Sequence, residues 1–83
     1  MIKIDVISLS VVYPGMGAMQ RTPAELSVFD GPKPLRVSPS RISVDVDGDE
    51  AGFDWNGHAW VGPWGEFATT EDIVAYGRSL DGD

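Results

Sequence analysis

The sequence predicts an α+β domain, a twisted antiparallel sheet of four to six strands with one C-terminal helix packed on one face. Three observations predict it. Ile42-Ser43-Val44-Asp45-Val46-Asp47 alternates apolar and polar residues with period two, the period of a half-buried strand. Asp47-Gly48 and Asn56-Gly57 are tight-turn dipeptides that bracket a second short run, Asp49–Trp55. Near the end, Ile73, Tyr76, Gly77 and Leu80 fall along one side of a helix that begins at Thr69-Thr70-Glu71-Asp72. A partly open SH3-like barrel is the architectural alternative. At 83 residues the chain is expected to be a single domain, with residues 81–83 as a flexible tail.

In chain order, Ile2–Val12 reads as a long, central first strand. Its apolar parity changes from Ile2, Ile4 and Val6 to Ile7, Leu9 and Val11, as expected for a strand covered on both faces or bulged near Val6-Ile7. Tyr13-Pro14-Gly15 turns the chain away, and Gly15–Gln20 reads as a flexible, weakly apolar loop. Its glycines lack the spacing and the following Lys-Ser/Thr of a phosphate-binding loop, so nucleotide binding is set aside. Thr22-Pro23-Ala24-Glu25 has the chemistry of a short helical start capped by threonine. Leu26-Ser27-Val28-Phe29 reads as a short strand, Asp30–Pro34 as a turn, and Leu35-Arg36-Val37 as a strand returning beside it. Ser38-Pro39-Ser40 reads as a break, since prolines belong at edges or between strands.

The segment Arg41–Trp64 organises the rest. A type I′ turn at Asp47-Gly48, or a type II′ turn at Gly48-Asp49, sets Ile42, Val44 and Val46 on one face with Ala51, Phe53 and Trp55. The opposite face then carries Ser43, Asp45, Asp47, Glu50 and Asp54. A turn at Asn56-Gly57 adds His58 and Trp60 to the apolar face, and Gly62-Pro63-Trp64-Gly65 ends the last strand. A helix follows over Thr70–Leu80, with Gly77 permitting close packing, Arg78 near its C-terminus and Gly82 as a terminating residue.

Composition narrows the function classes. Thirteen acids against six bases give a net charge of −7, which repels nucleic acid and anionic lipid and attracts basic protein surfaces. The absence of cysteine removes disulfides, thiolate nucleophiles and cysteine-ligated zinc together. The N-terminus lacks the pattern of a signal peptide and no apolar stretch has membrane-spanning length, so a cytoplasmic location is expected.

Motifs for chemistry are weak. His58 lacks a nucleophile and a carboxylate on its predicted face, so it reads as a structural histidine beside Trp55 and Trp60, and no catalytic residue is assigned. Asp45-Val46-Asp47-Gly48-Asp49-Glu50 has carboxylates at a glycine turn, but its order departs from the EF-hand loop, and position twelve is Asn56 instead of glutamate. No metal or cofactor is therefore expected. Trp55, Trp60 and Trp64 suit either a small core or an aromatic platform for a sugar or peptide. Trp55 and Trp60 are expected in the core, with Trp64 in a loop as a contact residue.

The leading expectation is a non-catalytic acidic protein that binds and masks or inhibits a basic protein surface. Its strong form is a DNA mimic of a phage or mobile element, including an anti-CRISPR inhibitor that occupies a nucleic-acid-binding surface. The partner-binding residues assigned are Asp45, Asp47, Asp49, Glu50, Asp54, Trp64 and Met16, the acids steering association and the apolar side chains anchoring it. The alternative is a structural or accessory subunit that self-associates through Ile2–Val12 or an edge near Leu35-Arg36-Val37.

Overall fold

The computed structural model describes residues 1–80; the tail at 81–83, with Gly82, lies outside the described residues. A six-stranded, wholly antiparallel open sheet carries one C-terminal helix on one face. Its strands are β1 (Ile2–Val12), β2 (Ala18–Arg21), β3 (Arg36–Val46), β4 (Asp49–Trp55), β5 (Trp60–Gly62) and β6 (Gly65–Phe67). They lie in the order β2-β1-β3-β4-β5-β6, and β6 does not pair with β2, so the sheet is open and does not close on itself. Two helices accompany it among the described residues, α1 (Pro23–Ser27) and α2 (Thr70–Leu80).

The β3–β4 hairpin follows from its turn. Asp47 and Gly48 both have positive φ, 51° and 95°, as a type I′ turn requires. The Asp45 carboxylate accepts from the Gly48 N–H at 2.7 Å and fastens it. This register pairs Ile42 with Phe53 and Val44 with Ala51, and residues paired across strands share a face. Ile42, Val44, Val46, Ala51, Phe53 and Trp60 bury together against Ile73 of α2.

The parity change in β1 is a bulge. Val6 pairs with Ile42 and Ser8 with Arg41, leaving Ile7 as an extra residue; Ser40 is the extra residue on β3 one step later. Alternation is thereby reset, and Leu9 and Val11 return to the side of Ile4 and Val6. Val11 and Tyr13 are also buried, outside the main core, and the Phe29 ring lies 5.0 Å from the Tyr13 ring at a tilt of 38°.

The middle of the chain departs from expectation in three places. Residues 18–21 form β2 instead of loop, because Tyr13-Pro14-Gly15-Met16 closes a tight turn with Gly15 at φ 73° and returns the chain along β1. Leu26–Phe29 is not a strand. Thr22 and Glu25 form a reciprocal capping box that carries the helix through Ser27. The Thr22 backbone N–H, and then its side chain, hold the Glu25 carboxyl below its usual range. Ser38-Pro39-Ser40 continues β3 instead of breaking it. Beyond Arg41, β3 has no β4 partner, so proline sits where one strand side needs no N–H donor.

α2 keeps its expected bounds. Thr69 Oγ1 accepts from the Asp72 N–H at 3.1 Å, Glu71 and Asp72 sit at the positive end, and Ile73 and Gly77 are buried. Gly77 lets the helix settle on the sheet; a Cβ there would lie 3.2 Å from Ile2 Cδ1 and 3.4 Å from Val46 Cγ2.

The Tyr13 hydroxyl is buried and finds no hydrogen-bond partner among the described residues. Tyr13→Phe removes that desolvated group while keeping the ring contact with Phe29. It is expected to raise stability by about 1 kcal/mol in urea unfolding, and a loss of that size would show that the hydroxyl is satisfied in solution.

Candidate functional site

The face opposite α2 is polar and, among the described residues, has no element packed over it. Cross-strand pairing arranges it in rows. Lys3, Asp45 and Glu50 form one; Asp5, Ser43 and Gly52 the next; Ser8, Arg41, Asp54, Val61 and Glu66 a third. Neighbours within a row stand roughly 5 Å apart and successive rows roughly 7 Å apart. Carboxylates outnumber the cations Lys3 and Arg41.

The rigid ladder fixes where these charges stand. Asp45 and Glu50 are directly opposed, a like-charge pairing that weakens a sheet. Arg41 Nε donates to Asp54 Oδ1 at 2.8 Å and its NH2 group to Asp54 Oδ2 at 3.4 Å. Both side chains are more than half exposed, so the pair orients Asp54 more than it stabilises the fold. Ser43 and Gly52 give a low floor in the middle, bordered by Asp5, Asp45, Glu50, Asp54 and Arg41, whose guanidinium is turned to Asp54; a Cβ at Gly52 would meet nothing within 4 Å. Such a floor with carboxylates around it has the shape and charge to accept an arginine or lysine head group.

The structure divides the residues assigned from sequence. Asp45, Glu50 and Asp54 stand together on this face. Asp47 is in the turn, its carboxylate 2.7 Å from the Met1 amino group. Asp49 opens β4 opposite Val46 and so belongs to the helix side of the hairpin end. Met16 is exposed at the β1–β2 turn, separated from Asp47 by the length of β1, an eleven-residue strand of roughly 35 Å. Trp64 is not a free loop residue. It sits in the β5–β6 turn, half-buried against the core, with its ring 5.4 Å from Phe53 and 5.5 Å from Tyr76.

The aromatic assignments exchange places. Trp60 is buried, whereas Trp55, expected in the core, is 38% exposed and leans on Trp60 at 5.4 Å. The three indoles thus form no shared exposed platform. His58 does not join them. Asn56 Oδ1 accepts from the N–H groups of both His58 and Ala59 at 2.8 Å, producing a four-residue loop that pairs Trp55 with Trp60 and leaves His58 exposed.

Asp5, Glu66 and the cations Lys3 and Arg41 were missed as members of the face. Asp5 carried a signal, its alternation with Ile4 and Val6, but its neighbours depend on β3, whose Ser43 lies 38 residues further along the chain. Glu66 lies in β6, which a Pro-Trp turn joins to β5 where only a strand end was expected.

Among the described residues no group of three His, Asp or Glu side chains converges on a metal-sized site, and no helix is long and apolar enough to cross a membrane. A shallow cleft at the hairpin end, lined by Met1, Lys3, Asp45, Asp47 and Gly48, holds about 200 Å³, below the usual size of a small-molecule pocket. Comparison with known protein families, with characterised proteins and with solved structures finds no match for this chain.

Proposed function

We propose that the chain is a non-catalytic binding protein whose acidic sheet face docks on a basic protein surface and masks it. The carrying observation is the ladder of carboxylates Asp5, Asp45, Glu50, Asp54 and Glu66 on an uncovered face, including one directly opposed acidic pair. A sheet holds these charges at regular spacing without the ordering cost of a flexible acidic tail. The net charge of −7 extends the attraction beyond contact range. A partner surface built for phosphates offers the complementary array, so the favoured form is an inhibitor that occupies a nucleic-acid-binding surface, as a DNA mimic or anti-CRISPR protein would. Direct nucleic-acid binding is not part of this reading.

Capture from source-cell extract at low and high salt, followed by mass spectrometry, is expected to return a salt-sensitive nucleic-acid-binding protein. With that partner purified, a combined Glu50→Gln, Asp54→Asn and Glu66→Gln variant is expected to slow association by about tenfold and to flatten its salt dependence. Gly52→Val leaves the net charge intact and fits the open space above the floor, yet it is expected to weaken binding because a side chain then stands where the partner's cation enters. Unchanged association in both variants would defeat the proposal; loss only in the charge variant would assign the effect to overall charge instead of this face.

A further inference from the structure

β3 accompanies β1 along its length, but on the other side β2 reaches only Leu9–Val12. Ile2–Ile7 therefore presents an open strand edge. Among the described residues, no backbone hydrogen bond beyond the sheet ladder reaches Ile2–Ile7. Ile4, Val6 and Ile7 are exposed along it by 38%, 37% and 44%. The remaining edges are shorter or guarded. β2 has four residues and β6 three, the part of β3 beyond β4 contains Pro39, and the stretch of β4 beyond β5, Asp49–Phe53, opens on the acids Asp49 and Glu50.

We propose that this edge pairs with the same edge of a second copy, antiparallel about a twofold axis at Ile4. The segment Ile2-Lys3-Ile4-Asp5-Val6 complements itself in that register. Ile4 faces Ile4, Ile2 faces Val6, and Lys3 of each copy faces Asp5 of the other. Centring on Lys3 opposes two ammonium groups, and centring on Asp5 opposes two carboxylates. A shift of one residue sets Ile4 against a charge. Opposite charges and β-branched residues across strands stabilise a pair, whereas like charges weaken it, so the sequence selects one register. This is an isologous contact, which closes at two copies. Because the axis is perpendicular to the sheet, both polar faces lie on one side and join, and both copies of α2 lie on the other.

Charge exchange tests the register. In sedimentation equilibrium the unaltered chain is expected to dimerise reversibly as its concentration approaches millimolar. Lys3→Asp places a carboxylate opposite Asp5 at both contacts, and Asp5→Lys places an ammonium opposite Lys3. Each variant is expected to weaken dimerisation by about tenfold, while an equimolar mixture of the two restores opposite charges at both positions and the original affinity. Circular dichroism verifies folding of each variant. Amide exchange in the unaltered chain supplies a second measurement, with protection at Ile2–Val6 expected to rise with concentration. A monomer at millimolar concentration, single variants that dimerise like the original, a mixture no tighter than its components, or concentration-independent protection would each overturn the proposal. Since Glu50, Asp54 and Glu66 stay untouched, failure here leaves the basic-partner proposal standing.

Discussion

Phe53→Ala is expected to bring the domain close to its unfolding midpoint at room temperature. Phe53 is fully buried, and its ring makes edge contacts with Trp64 at 5.4 Å and Phe67 at 5.9 Å. It therefore ties the hairpin core to the β5–β6 unit. Truncation of such a residue costs about 3–5 kcal/mol, comparable with the total stability of a small domain. Urea unfolding followed by tryptophan fluorescence measures the loss. Phe53→Leu retains most of the volume and is expected to cost distinctly less. A loss below about 1 kcal/mol for the alanine variant would show that this ring does not anchor the core.

Gly62→Ala is the second large effect, and it comes from an added methyl group. A Cβ at this position would stand 2.5 Å from Phe53 Cδ2, 2.7 Å from Phe53 Cε2 and 2.6 Å from the Gly52 carbonyl oxygen. A long side chain could swing aside, but a ring packed on both edges and a backbone oxygen in β4 have nowhere to go. Overpacking of this kind costs about 1–3 kcal/mol, and here it strains the β4–β5 junction. Faster amide exchange in β5 and β6 than in β1 is the expected signature. The two variants share Phe53, so their effects are expected to couple: removing the ring relieves part of the clash, and the double variant should lose less than the sum of the singles. Strict additivity would show that the clash lies wholly with the Gly52 carbonyl.

The same residues show how far the sequence could be read. Asp47-Gly48 is a strong local instruction, because few dipeptides supply positive φ at both turn positions. With that turn and the alternation on either side, the pairing of Ile42 with Phe53 and the separation of apolar from acidic residues follow without any other part of the chain. α2 is equally legible from Thr69 at its cap and Ile73 and Gly77 on its buried side. The parity change at Val6-Ile7 was visible too, although only the pairing with β3 chose a bulge over a doubly covered strand.

Other features were decided by groups distant in sequence or by a competing local bond. Asn56-Gly57 looks like a two-residue turn, yet the Asn56 side chain captures two successive backbone N–H groups and lengthens the loop, shifting the β4–β5 register. That shift sent His58 outward. Trp64 sits in a Gly-Pro-rich stretch that resembles solvent-exposed loop, but the short β5–β6 hairpin swings its indole under Tyr76. Pro39 belongs to a strand because its outer edge has no partner, a fact of sheet order that composition does not carry.

Local turn chemistry and period-two alternation thus specified one hairpin, one helix and the division into wet and dry faces. Tertiary pairing decided which charges share the wet face. Asp45, Glu50 and Asp54 were readable together because a two-residue turn binds their strands, whereas Asp5, Lys3 and Glu66 joined them through long-range or unanticipated strand contacts. The physical reason is that φ/ψ preferences and side-chain period act over a few residues, while the position of a strand within a sheet depends on where the whole chain can bury Phe53, Trp60 and Ile73.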